Sequence, residues 1–320
     1  MVGEPSLELA LTVRGLIAPH IRRTPLLRSE ALSRFAGGEV FLKCENLQFT
    51  GSFKLRGALA ALAMLPDESR RKGVYTCSAG NHGLGLARAA GVFGVPCTVI
   101  LPASAPRVKE EGIRAEGARV VRSPFEGYDD AEAWMRERAG AWGETFVSAF
   151  DDPAVIVGNG ATVMLEILED LPDPDWVVLP CGGGGLSGGA GLVLREMSPR
   201  TRAVGVNTEA SPGMWLSWRD GRAHERVDSA PTIAEGLEGG VSERTYRLSR
   251  RVLDDLWTVP ESALGRAVGW IAREERMIVE GSGAAAIAAI REGRPRGGRI
   301  VAILSGSNID PERLRKLLDP

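Results

Sequence analysis

The chain has 320 residues, enough for one large or two ordinary domains with cores of their own. Hydrophobic residues make up 44% and charged residues 25%, with a formal net charge of -2, so neither a basic nucleic-acid stripe nor a charged tail organises it. The four cysteines (Cys44, Cys77, Cys97, Cys181) form no CxxC pair, which argues against a zinc site and for free thiols in a reducing cytosol. The start, Met1-Val2-Gly3-Glu4-Pro5, lacks the basic-then-apolar pattern of a signal peptide, and apolar runs such as Ala284 to Ile290 are too short to span a bilayer. A cytoplasmic protein with no membrane or nucleic-acid partner is the expectation.

Residues 6–18 read as an amphipathic helix that Arg22-Arg23-Thr24-Pro25-Leu26 breaks. Glu39 to Cys44 reads as a strand. Ser52 is a candidate N-cap for a helix running to about Leu65, and Pro66-Asp67-Glu68 marks a break. Regular alternation follows: strands at Gly73–Cys77, Pro96–Leu101, Ala118–Arg122 and Thr145–Val147, with helices at His82–Gly94, Pro106–Glu116 and Asp129–Ala139. A second set has a helix at Ala154–Glu169, a strand at Trp176–Pro180, a helix at Leu186–Glu196 and a strand at Ala203–Asn207. Residues 212–245 are poorly legible. Helices at Ser262–Arg276 and Gly283–Glu292, a strand at Arg299–Leu304 and a helix at Pro311–Leu318 close the chain. Strands alternating with helices of this length give right-handed βαβ units, hence an α/β fold with parallel sheets in two lobes.

Gly51-Ser52-Phe53-Lys54-Leu55-Arg56-Gly57-Ala58 places a lysine among small and apolar residues. Lost hydration there lowers a lysine's pKa and leaves neutral amine able to attack a carbonyl, the chemistry of a Schiff-base lysine. The plainer alternative is a lysine near a helix start whose head reaches solvent. Lys72, Lys109 and Lys316 sit in charged segments and read as solvated surface, while Lys43 alternates with Phe41 and Leu42 and could point outward from a strand. Only Lys54 has glycines on both sides, as close approach of a ligand to backbone requires.

Three glycine-bearing turns fall at the C-terminal ends of expected strands, where ligands of parallel sheets bind. They are Ser78-Ala79-Gly80-Asn81-His82-Gly83, Cys181-Gly182-Gly183-Gly184-Gly185-Leu186-Ser187-Gly188-Gly189, and Ser305-Gly306-Ser307-Asn308. Four glycines before a helix expose a row of backbone N–H groups at its positive end, a phosphate cradle; the alternative is a flexible turn. Gly183, Gly185 and Gly188 also match GxGxxG, so a nicotinamide-dependent oxidoreductase competes. Its ribose-binding acid should end the next strand, where Asn207 stands, with Glu209 a little beyond. A single-phosphate cofactor that also needs a lysine fits better, and pyridoxal phosphate wants both, plus partners for its ring nitrogen and 3-oxygen.

Over nearly its whole length the chain resembles the fold-type II pyridoxal-phosphate enzymes, specifically the serine/threonine dehydratase branch that also holds serine racemases. The likeness rests on Glu45-Asn46-Leu47-Gln48 before the lysine octapeptide, the asparagine loop, the tetraglycine loop, Thr232-Ile233-Ala234-Glu235-Gly236, Glu280-Gly281-Ser282-Gly283 and the Ser305 loop. The cysteine synthase branch has a Lys-Asp-Arg type sequence at its lysine, which Lys54-Leu55-Arg56-Gly57 lacks.

The resemblance implies a tryptophan synthase β-like fold, with a large cofactor-binding lobe of residues 1–69 and 149–320 and a small substrate-side lobe of residues 70–148. It implies that Lys54 carries the cofactor and then shuttles the Cα proton, that Phe53 lies beside the cofactor, and that Asn81 hydrogen-bonds its 3-oxygen. Gly182, Gly183, Gly184, Gly185 and Leu186 would hold the phosphate, and Ser305 the pyridine nitrogen. Ser78, Asn81 and His82 would line the pocket for the substrate carboxylate, largely through backbone donors. The expected reaction is dehydration of a small-molecule β-hydroxy amino acid, L-threonine or L-serine, to a 2-oxo acid and ammonia, by a homodimer or homotetramer. Alternatives within the family are a dehydratase of another hydroxy amino acid, such as 3-hydroxyaspartate, and a racemase. Racemases of this branch carry a second serine where Ala79 stands, and many relatives bind a divalent ion through a glutamate where Asn207 stands, so no metal is expected. Ser307 replaces a usual glycine, and no regulatory domain is expected after Pro320.

Overall fold

The computed structural model describes residues 3–126, 128–139 and 143–318. Among these residues ten strands form two sheets: β1 Leu26–Ser29, β2 Glu39–Cys44, β3 Val74–Cys77, β4 Cys97–Leu101, β5 Arg119–Arg122, β6 Thr145–Phe146, β7 Trp176–Pro180, β8 Arg202–Thr208, β9 Asp255–Val259 and β10 Arg299–Leu304. One sheet has the order β1-β2-β10-β7-β8-β9 and the other β5-β4-β3-β6. Among the described residues only β1 runs antiparallel to its neighbour, and every other pairing is parallel. That agrees with the α/β reading, and the apolar runs of β4, β7 and β10 are buried as parallel strands covered on both faces must be.

The larger sheet lies between two apolar layers. On one side Leu55, Leu59 and Leu62 of the Lys54 helix pack with Val163, Leu186 and Val193. On the other, Ala263, Val268 and Ile287 pack with Val178, Val206 and Ile300. The smaller sheet has its own cluster of Tyr75, Cys77, Ile100, Ala131 and Met135. Among the described residues no helix is long and apolar enough to cross a membrane.

Several local readings change. Asp67–Lys72 is a short helix, not only a break, and a further strand, β9, lies beyond the poorly legible region. That region itself holds helices at Gly213–Asp220 and Glu243–Val252. Lys43 does not point outward; it is fully buried, and its Nζ contacts Glu166 Oε2 at 2.6 Å and the Thr24 carbonyl at 2.8 Å. The helix expected over Ala154–Glu169 is α-helical at Pro153–Ile156 and Thr162–Asp170, with a π-helical stretch at Val157–Ala161 between them. That stretch wedges between the Lys54 helix and the helix after the glycine loop. A Cβ on Gly158 would lie 2.8 Å from Gly57 Cα, and one on Gly160 would lie 2.8 Å from Gly189 Cα. Small residues at 57, 158, 160 and 189 therefore let three helices converge behind the lysine, and π-turns commonly mark functional sites.

Candidate active site

Lys54 opens the helix Lys54–Met64. Ser52 does not cap it: the N-cap position is Phe53, with no side-chain cap. The reason is the neighbouring strand end. Ser52 bridges Gly306, Phe53 N–H donates to the Ser305 carbonyl at 3.2 Å, and Ser307 N–H donates to the Gly51 carbonyl at 2.8 Å. The Ser52 hydroxyl is buried without a partner. The orphan N–H of Gly57 is taken instead by Asn159 Oδ1 from the π-helical stretch, at 2.8 Å.

Arg56, one turn into that helix, is fully buried and joins Glu45 and Glu166 through four contacts of 2.8–2.9 Å. Lys43 shares Glu166, so two cations and two carboxylates balance beneath Lys54. A buried network of this kind is tolerable because its charges are mutually paired.

Lys54 itself is partly accessible. Its Nζ donates to the Ala149 carbonyl at 2.9 Å and stands 5.3 Å from the centre of the Phe53 ring. Dense surroundings lower its pKa from 10.5 to about 8, and Glu280 opposes that shift. The next residue in the opposing segment, Phe150, packs on the tetraglycine loop: a Cβ on Gly183 would lie 2.5 Å from its ring, and one on Gly185 3.1 Å from its Cα. Lysine and glycine loop are thus joined through two adjacent residues.

Gly182–Gly185 closes between β7 and the helix Gly185–Met197. Gly184 has φ +90°, a conformation that disfavours side chains, and a Cβ there would lie 2.7 Å from Met214 Cε. A Cβ on Gly182 would lie 2.8 Å from Leu237 Cα. Bare backbone at a helix start is what remains to line the loop, and Leu186 is buried behind it.

Asn81 begins the helix Asn81–Phe93 after β3. Its Nδ2 donates to Glu280 Oε1 at 2.7 Å, and its Oδ1 accepts from Asn308 Nδ2 at 2.6 Å. Glu280 reaches the Ser305 loop as well, since its N–H donates to the Gly306 carbonyl at 3.0 Å. Burial raises the Glu280 carboxyl to about 7. Ser305 is buried at the end of β10, beside Phe53.

His82 is buried, and its Nε2 lies 3.0 Å from the Val147 carbonyl. Burial first, then the Lys54 charge, lower its pKa to about 3, so the ring is neutral and Nε2 carries the proton donated to that carbonyl. Its side chain is therefore engaged within its own sheet. Ser78 sits at the end of β3, its hydroxyl accepting the Gly80 N–H at 3.3 Å. Asn207 ends in a fully buried amide whose two polar atoms lack partners. Among the described residues no group of three or more His, Cys, Asp or Glu could hold a metal ion.

The sequence alone did not point to Ala149, Phe150, Asn159 or Asn308. Asn159 carries the best signal, a polar residue between two glycines within a helical pattern.

The profile of the family described as pyridoxal-phosphate dependent enzyme matches residues 17–306. The chain belongs to that family. Among its relatives, an L-threonine ammonia-lyase of Thermotoga maritima is 41% identical over 306 residues, 93% of this chain and 74% of the relative. The processed form of threonine deaminase isoform 2 from Solanum lycopersicum superposes with a TM-score of 0.90 at 32% identity, over 99% of this chain and 95% of that one. Maize serine racemase superposes with a TM-score of 0.90 at 28% identity, over 98% and 97%.

The family's cofactor fits the residues present. Lys54 offers an amine of lowered pKa, the glycine loop a side-chain-free anion cradle, and Ser305 a buried hydroxyl at a strand end. A Rossmann dinucleotide site would leave the lysine without a use.

Proposed function

We propose that this pyridoxal-phosphate enzyme dehydrates a β-hydroxy amino acid, L-threonine or L-serine, to a 2-oxo acid and ammonia. Names of relatives support the substrate class, among them an L-threonine ammonia-lyase at 41% identity. The observation that carries the reading is Lys54, an amine held at a pKa of about 8 and bonded to Ala149, whose neighbour Phe150 packs on the glycine loop.

In this reading residues 1–69 and 149–320 form the cofactor lobe and residues 70–148 the substrate-side lobe. Gly182–Gly185 and Leu186 hold the phosphate, Ser305 the ring nitrogen, Asn81 the 3-oxygen, and Phe53 flanks the ring. The bound cofactor supplies an electron sink for charge left at Cα. The backbone N–H groups of Asn81 and His82, at the positive end of the helix Asn81–Phe93, receive the substrate carboxylate, with the Ser78 hydroxyl beside them; the Ser78 N–H is not available, because it donates to the Ile100 carbonyl at 3.1 Å. Lys54, as a neutral amine, would take the Cα proton. The β-hydroxyl then leaves as water, taking up the proton that Lys54 removed, and the enamine released tautomerises and is hydrolysed by water to 2-oxo acid and ammonia. Neutral His82 adds no positive charge to compete for the carboxylate. Ala79 carries no proton to give, which favours elimination over racemisation. A homodimer or homotetramer in the cytosol completes the proposal, with four buried unpaired cysteines in keeping with a reducing compartment.

The test is 2-oxo acid release from L-threonine, L-serine, their D-isomers and 3-hydroxyaspartate. Turnover of L-threonine or L-serine above the others supports the proposal. Turnover of 3-hydroxyaspartate alone moves the activity to another hydroxy amino acid.

A further inference from the structure

Two motifs have no role in the reading above: Thr232–Gly236 and Glu280–Gly283. In the structure they are joined, the Gly236 N–H donating to Ser282 Oγ at 2.8 Å. Each sends a carboxylate to the substrate-side lobe. Glu280 accepts from Asn81, and Glu235 Oε2 contacts Lys109 Nζ, on the helix Arg107–Ala115, at 2.6 Å. The other oxygen of Glu235 contacts Arg313 Nη1, on the helix Pro311–Leu318, also at 2.6 Å. Lys109 is therefore not simply solvated surface.

The turn Glu235–Leu237 also backs onto the glycine loop. A Cβ on Gly182 would lie 2.8 Å from Leu237 Cα and 3.0 Å from the Gly236 carbonyl. One short turn thus meets the small lobe, the last helix and the first glycine of the phosphate cradle.

We propose that Glu235 is the positioning residue that closes the substrate-side lobe over the cleft, with Lys109 as its counterpart. The proposal rests on the two-lobed dehydratase reading. Arg313 keeps the Glu235 carboxylate in place when Lys109 withdraws. The side chains of Lys109 and Glu235 are 32% and 46% exposed, and so open a pair is weak. Weakness suits the task, because a lobe that must admit an amino acid at each turnover needs a bias and not a lock. Since the same turn abuts Gly182, closing the lobe and seating a phosphate in the loop favour one another.

The experiment compares Lys109→Met, Glu235→Gln, the double variant and Lys109→Arg as cofactor-loaded enzymes. Amide hydrogen exchange of residues 107–115 is measured without substrate. KM and kcat are then measured with L-threonine and L-serine at low salt and at about 1 M salt. Each of the first two variants should speed exchange of 107–115 and raise KM about three- to fivefold at low salt, with kcat little changed. The double variant should be no worse than either single one, Lys109→Arg should restore wild-type exchange, and high salt should bring the wild type to the variants. Unchanged exchange at 107–115, or additive effects in the double variant, would overturn the proposal. Exchange reads the clamp whether or not either amino acid is turned over, so a wrong substrate assignment remains distinguishable from a wrong clamp.

Discussion

Gly57 and Asn159 meet where two helices converge behind Lys54. The Gly57 N–H donates to Asn159 Oδ1 at 2.8 Å, and a Cβ on Gly57 would lie 2.6 Å from the same amide. The glycine thus serves both a hydrogen bond and a close approach. The first turn of the Lys54 helix is anchored from outside itself, since the serine before it is bound to the β10 loop.

Asn159→Ala should leave that N–H buried and unsatisfied, lowering stability by about 1–3 kcal/mol. Urea denaturation of the cofactor-free protein measures it. A loss below the error of the fit would mean that water replaces the amide without penalty.

The depressed pKa of Lys54 predicts a pH window. Its value falls from 10.5 to about 8, so between these values the unfolded chain holds more protons than the folded one, and stability rises with pH. The contribution is complete above 10.5 and is lost as pH falls through 8. In the cofactor-free protein, acetylation of Lys54 followed by mass spectrometry should reach half its limiting rate near pH 8. A midpoint near 10.5 would show a fully solvated amine.

Glu280 shifts the other way. Its carboxyl rises from 4.5 to about 7, so it contributes stability below 4.5 that is lost as pH rises through 7. Glu280→Gln should flatten the stability profile across that window while leaving an oxygen to accept from Asn81. Denaturation at several pH values checks this, and an unaltered slope in the variant would assign the dependence elsewhere.

Gly184→Val places a β-branched side chain at φ +90° and against Met214. Pyridoxal-phosphate affinity should fall by about tenfold or more, read by titration of a variant whose circular dichroism is native. Native affinity would remove the loop from the phosphate site.

Ala79 and Asn207 predict elimination from L-serine with little D-serine and little response to a chelator. The buried Asn207 amide is a poorer ligand for a hard divalent ion than a carboxylate. Chiral chromatography with and without chelator tests both. Ala79→Ser is the change expected to introduce racemisation. D-serine forming as fast as pyruvate in the wild type, or activity lost on chelation and restored by magnesium, would contradict these readings.

The strand–helix alternation was legible because buried parallel strands such as Val177–Leu179 and Ile300–Leu304 are continuous apolar runs between glycine turns. The close approaches around Lys54 and at the tetraglycine loop were legible because close approach of backbone needs glycine, and glycine is visible in a sequence. Partners supplied across the fold were not. Lys43 read as outward because β2 alternates, yet tertiary pairing with Glu166 buried it. Ser52 read as a cap because its local sequence suits one, yet the bridge to Gly306 claimed it. Ala149 holds Lys54 through its carbonyl, which no side-chain pattern records.

The most direct test of the account is borohydride reduction of the cofactor-loaded protein followed by peptide mapping. The account predicts a single pyridoxyl group on Lys54, in the peptide containing Gly51-Ser52-Phe53, with the label and visible absorption absent from Lys54→Ala. A label on Lys43 or any other lysine, or no label on a protein that still releases 2-oxo acid, would contradict it.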